Sequence, residues 1–97
     1  MAKKEIDISD IRKHIDRIDN VIINALAERM SLMPDVAGYK KEKSMPIFDE
    51  KREIAIMGKL KKIAAEHGLD KGFVEEVFLS VFNEAKRIQD QIINKKE

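Results

Sequence analysis

Cysteine is absent from this 97-residue sequence. No disulfide framework and no thiolate metal site can form, which fits a reducing cytoplasm, the expected location. Tryptophan is also absent, and aromatic residues make up only 5%. Proline occurs twice and glycine four times, in scattered positions. Neither a Gly-rich phosphate loop nor a dinucleotide fingerprint can be read from them. The only histidines, His14 and His67, fall on different predicted helices, so no metal site is expected. No Ser/His/Asp or Cys/His set is present. No apolar run reaches membrane-spanning length, and the charged stretch Met1 to Asp7 lacks the apolar core of a signal peptide. An excess of one charge sign is missing too: 19 basic and 18 acidic side chains leave a net charge of +1. That balance argues neither for nucleic acid nor for an anionic membrane as partner, and neither is expected. The short cluster Lys40, Lys41 and Lys43 has too few aromatics around it to change this.

What the chain does have is charge and aliphatic periodicity. Charged residues make up 38% and hydrophobic residues 43%, a mix suited to long solvated helices. The expectation is one all-α domain over 1–97, with flexible ends at 1–7 and 95–97. Ile8, Ile11, Ile15, Ile18, Ile22 and Ala25 recur at alternating spacings of three and four. The rhythm runs on through Arg29, Leu32, Val36 and Tyr39, as a heptad-like seam. Asp7 or Ser9 caps its start, and the helix ends near Lys43-Ser44, ahead of Pro46. Asp49 caps a second helix with Ile56, Leu60, Ile63 and Ala64 on one face, closed by Gly68. Asp70 caps a third, with Val74, Val77/Phe78, Val81, Ala85, Ile88 and Ile92 in line. A first helix of roughly 33 residues is about 50 Å long, more than two shorter helices can cover. The uncovered seam predicts a helical homodimer. Pro34 falls inside this helix, where it removes a hydrogen bond and clashes with the Met30 carbonyl. A kink or widening between Met30 and Pro34 is expected.

Polar residues interrupt the apolar lines. Arg29 occupies a seam position, and an unpaired guanidinium is costly to desolvate. It meets either a protein carboxylate or a ligand anion. Lys40, eleven residues on, shares its face within about 20° and lies about 16 Å along the axis. Two long cations so placed can close on a small dianion. Arg12 lies seventeen residues before Arg29, about 100° around and roughly 25 Å away. One chain cannot bring both arginines to one small molecule, so any shared site takes them from different subunits. The second helix opens with Asp49, Arg52 and Glu53, which also read as a cap and a solvated first turn. Gln89 borders the third helix's apolar stripe and needs hydrogen-bond partners when buried. Together Arg12, Arg29, Lys40 and Arg52, against Asp49 and Glu53, make a net positive set that suits a small dicarboxylate.

The ordered residues Ile11-Arg-Lys-His-Ile-Asp-Arg-Ile-Asp19, Leu26-Ala-Glu-Arg29, Lys40 and Pro46-Ile-Phe-Asp49-Glu-Lys-Arg52-Glu53, followed by Gln89, resemble the all-helical chorismate mutase family. The likeness runs from about Asp10 to Ile92. It implies a three-helix protomer in an intertwined homodimer, with Arg12 entering the neighbouring subunit's site. It implies that Arg29 and Arg12 hold the two substrate carboxylates and that Lys40 and Gln89 bond the ether oxygen. Asp49 and Glu53 would engage the ring hydroxyl, with Arg52 in support. No cofactor and no metal are expected, because the rearrangement of chorismate to prephenate moves no proton and forms no covalent intermediate.

The sequence departs from that family at Ala85, where a small hydroxyl or amide residue is common. Alanine cannot help a substrate carboxylate, so weaker binding is expected. Two other readings compete. An isochorismate pyruvate-lyase of the same fold would share the cations, but Glu53 favours the mutase. A non-catalytic helical dimerisation module would explain the seam and leave Arg29 and Gln89 as interruptions that set register.

Overall fold

The computed structural model describes residues 5–95. Within them the chain forms α1 (Ile8–Ser31), α2 (Met33–Glu42), α3 (Glu50–Glu66) and α4 (Lys71–Ile93), and no strand appears among the described residues. The ends expected to be flexible, 1–7 and 95–97, fall mostly outside the described part. Of them, residues 5–7 precede α1 and Lys95 follows α4.

Local chemistry sets each boundary. The Asp7 carboxylate accepts from the Ser9 N–H and caps α1. Asp49 accepts from the Arg52 N–H to start α3, and Asp70 from the Phe73 N–H to start α4. Each satisfies a donor that the first turn would leave unpaired. Gly68 closes α3 at φ +70°, a left-handed conformation that costs glycine little.

The long first helix is present as two segments, α1 and α2, interrupted at Leu32. Pro34 sits in the first turn of α2, where its missing N–H does no harm. Leu32 N–H turns back to the Arg29 carbonyl at 3.3 Å, a tighter pattern than the α-helical ladder. The Ser31 hydroxyl adds a bond to the Glu28 carbonyl. The expected disturbance at Met30 to Pro34 is therefore a one-residue break. The molecule is elongated, 66 × 30 × 16 Å.

The core lies where α4 packs against α2 and α3. It is built from Met33 and Ala37 of α2, Ala64 of α3, and Val74, Val81, Phe82 and Ala85 of α4. A Lys61–Glu75 ion pair at 3.1 Å joins α3 to α4 at the rim. This core uses a different face of the first helix from the aliphatic seam. Seam residues Leu32 and Tyr39 are exposed, whereas Met33 and Ala37, one position or two away, are buried. The steps Met30, Met33, Ala37, Lys40 follow the same helical period on a neighbouring face. On α3, Ile63 is exposed, and on α4 Val77 and Ile92 are exposed while Phe82 and Gln89 are buried. The predicted apolar lines are thus turned partly outward, because one chain covers only one face of each helix. No residue of α1 is buried, and Ile15 and Ile18 each keep 47% of their surface open.

Candidate active site

A cavity of about 310 Å³ opens where α2, α3 and α4 converge. Arg29 of α1, together with Met33, Val36 and Lys40 of α2, forms one wall. The α2–α3 connection contributes Ile47 and Asp49, and the first turns of α3 contribute Arg52, Glu53 and Ile56. Phe82, Ala85, Lys86 and Gln89 of α4 complete it, with Phe82 three residues before Ala85 and Lys86 three before Gln89. Those steps place them on one helical face. Of the seven residues singled out from sequence, all but Arg12 line this cavity. Arg12 is exposed on α1 and takes no part in it.

Two of these side chains, half-buried Arg29 and buried Gln89, each enclose a polar atom without the partner its chemistry requires. Arg29 Nη1 is fully enclosed and has no hydrogen-bond partner among the described residues. Its guanidinium carbon lies 5.7 Å from the centre of the Phe82 ring, a cation–π contact that orients it. Gln89 is 4% exposed, and its Oε1 likewise has no partner. Its Nε2 donates to the Met33 sulfur at 3.5 Å, and a thioether is a weak acceptor. Buried polar groups normally find strong partners. Here two that lack them face the same cavity.

Two lysines clamp the connection above the cavity. Lys40 Nζ donates to the Ile47 carbonyl at 2.6 Å. Burial lowers the Lys40 pKa below the ordinary lysine value; Asp49 and Glu53 oppose this by attraction, and Lys86 adds a smaller repulsion. Lys86 Nζ lies 3.0 Å from Glu53 Oε2 and 4.5 Å from the centre of the Phe48 ring. Neither Lys86 nor the aromatic contacts of Phe48 and Phe82 were expected from sequence. Lys86 carried a signal all the same, since it stands three residues before Gln89 on the same helical face. Asp49 spends one carboxylate oxygen on its capping bond. Around the cavity, Arg29, Lys40, Arg52 and Lys86 face two carboxylates, Asp49 and Glu53. The surplus is cationic and one of the two enclosed unpaired atoms belongs to a guanidinium, which matches a small dianion.

An all-helical protein with a small cation-lined pocket between its helices is the class that this fold and site define. The sequence model of the family described as chorismate mutase type II matches residues 11–90. The chorismate mutase of Methanocaldococcus jannaschii is 37% identical over 86 residues, covering 89% of this chain and 87% of that protein. The bifunctional chorismate mutase/prephenate dehydratase of Buchnera aphidicola subsp. Schizaphis graminum is 28% identical over 89 residues, 92% of this chain but 23% of the relative. The isochorismate pyruvate lyase of Pseudomonas aeruginosa is 35% identical over 77 residues, 78% of this chain and 74% of that protein. The chain belongs to the type II chorismate mutase family.

Proposed function

We propose that the protein converts chorismate to prephenate, as a homodimer in which each cavity is completed by the Arg12 side chain of the other copy. The observation that carries this reading is the pair of underpartnered donors on one cation-rich cavity, Arg29 Nη1 with no partner and Gln89 Nε2 with only a thioether. Chorismate carries two carboxylates, an ether oxygen and a ring hydroxyl, and this set of side chains offers a counterpart for each.

The reaction asks for conformational selection and charge stabilisation. One C–O bond breaks while one C–C bond forms, and three electron pairs move around a six-membered ring. No proton leaves and none arrives. Arg29, with Arg12 of the second copy, grips the carboxylates and holds the enolpyruvyl arm over the ring. Negative charge grows on the ether oxygen as its bond stretches. The Lys40 ammonium and the Gln89 amide N–H bond that oxygen more strongly in the transition state than in the substrate. Gln89 loses only a weak sulfur contact when it turns to the ligand. Glu53 accepts from the ring hydroxyl, with Asp49 and Arg52 beside it.

The dimer follows from α1. Ile8, Ile11, Ile15, Ile18 and Ile22 are all exposed along one stripe, and such an apolar stripe needs cover. The regular three-four spacing matches a second copy of the same helix, since a twofold interface pairs a patch with itself. Arg12 lies on this helix, beyond reach of its own cavity. Residues 1–97 form the catalytic unit in this reading. Among the described residues no helix is long and apolar enough to cross a membrane, and the reading places the enzyme in the cytoplasm, supplying prephenate for phenylalanine and tyrosine synthesis.

The test is direct. Purified protein is incubated with chorismate, without added metal or cofactor, and the ultraviolet absorbance of chorismate is followed. Acid then converts any prephenate to phenylpyruvate, which is measured. Saturable loss of chorismate with phenylpyruvate formation is expected. An inert protein would overturn the reading, and salicylate formed from isochorismate in its place would favour the lyase.

A further inference from the structure

We propose that Lys86 is a specificity-determining positioning residue, which fixes the Glu53 carboxylate and makes the ring end of the cavity reject a cationic substituent. The inference rests on the reading that Glu53 meets the ring hydroxyl of chorismate.

Lys86 belongs to the cavity wall and is not a stray surface cation. It lines the same space as Lys40 and Gln89. Its side chain keeps 27% of its surface exposed and that of Glu53 keeps 21%. Two contacts hold it there, the Glu53 Oε2 atom at 3.0 Å and the Phe48 ring at 4.5 Å. The first joins α4 to the opening turn of α3. The second ties α4 to the connection that Lys40 also grips, through Ile47.

The consequence is a division of labour on one carboxylate. Lys86 takes Oε2, which leaves Oε1 to accept from the ligand. An ionised carboxylate is an acceptor at both oxygens, whereas a protonated one offers a donor instead. A neutral hydroxyl can then donate its one proton to Oε1. An ammonium in the same place finds a carboxylate whose charge is already balanced, and it also finds Lys86 itself as a repelling neighbour. Specificity here comes from a repulsive element as much as an attractive one. A lone glutamate at this position would draw the cation in; the Lys86–Glu53 pair turns it away.

The experiment compares chorismate with its analogue bearing a primary amine in place of the ring hydroxyl. Steady-state kcat and KM are measured for both substrates with the wild-type protein and with Lys86→Met, Lys86→Gln and Lys86→Arg. Far-ultraviolet circular dichroism and thermal melting verify that each variant is folded. The expected result is a wild-type preference for the hydroxyl that falls by about tenfold or more in Lys86→Met and Lys86→Gln. The shift should appear mainly in KM, with Lys86→Arg restoring most of the preference. Lys86→Gln keeps a hydrogen-bond donor without the charge, so it isolates the electrostatic part and stands in should Lys86→Met fail to fold. A preference unchanged within a factor of about two in a folded, active Lys86→Gln would overturn the role of Lys86 alone. A wild-type protein inert toward chorismate would instead overturn the reading of the site, and the inference with it.

Discussion

Replacing Arg29 by methionine should move stability and activity in opposite directions. In the ligand-free protein the guanidinium is a liability. A buried donor left unpaired costs about 1–3 kcal/mol, and Arg29 Nη1 is such a donor. Against this stands the cation–π contact with Phe82 at 5.7 Å, which contributes about 0.5–2 kcal/mol. Methionine keeps a long apolar stem against Phe82 and needs no hydrogen bonds. The balance favours the variant by roughly 1 kcal/mol, equivalent to a rise of about 4–8 °C in Tm for a domain of this size. Activity falls steeply, because the substrate carboxylate loses two charge-assisted bonds. At about 1.5–3 kcal/mol for each such bond, kcat/KM should drop by on the order of 10²–10⁴. The assay pairs urea unfolding, at one fixed protein concentration, with chorismate turnover. A variant at least 2 kcal/mol less stable than wild type would show that Arg29 serves the fold, and the argument from its unpaired nitrogen would fail. Loss of less than tenfold in kcat/KM would be equally damaging.

Four further outcomes follow from the same geometry. Lys40 must be charged to stabilise the ether oxygen, and burial depresses its pKa; kcat/KM should therefore decline on an alkaline limb that begins below the ordinary lysine range, and that limb should vanish in Lys40→Gln. The same depressed pKa makes the charged Lys40 a cost to folding, absent above the ordinary lysine value, growing as pH falls from there to the folded value and complete below it, so wild type should lose stability relative to Lys40→Met over that interval in pH-dependent urea melts. Mixing inactive Arg12→Ala and Arg29→Ala subunits, after mild unfolding and refolding, should restore about a quarter of wild-type activity, because half the dimers then carry one intact site; no recovery would place Arg12 outside the site. Ala85→Ser puts a hydroxyl beside the cavity and should lower KM several-fold at a cost of about 1 kcal/mol in stability, read from kinetics and thermal melts; an unchanged or higher KM would show that no substrate carboxylate lies near α4 at that point.

Much of the fold was legible because helices announce themselves locally. Asp7, Asp49 and Asp70 stand before apolar-periodic runs, and each caps a helix. Pro34 predicted a disturbance and Leu32 shows where it falls. The inner face of the first helix was harder to read. Isoleucines mark the outer seam more strongly than Met33 and Ala37 mark the inner face, although only the inner face is buried in the chain. Periodicity reveals that a face is apolar, and nothing in it says what will cover that face. The site residues were legible where polarity broke a pattern, as Arg29 and Gln89 do. Lys86 and Phe48 broke none. A lysine beside an apolar stripe looks like a solvated one, and its pairing with Glu53 depends on how α3 and α4 pack.

The interruption at Leu32 gives the molecule a lever. Arg12 lies roughly 30 Å along the helix from that joint, while Met33 and Ala37, just past it, are anchored in the core. A tilt of about 5° at the joint would carry Arg12 sideways by about 2.6 Å, nearly the length of a hydrogen bond, with no change in the core around Met33 and Ala37. In the proposed dimer, small substitutions at Ser31, Leu32 or Pro34 would therefore retune how Arg12 meets the other copy's pocket. They act at the opposite end of α1 from the side chain they move.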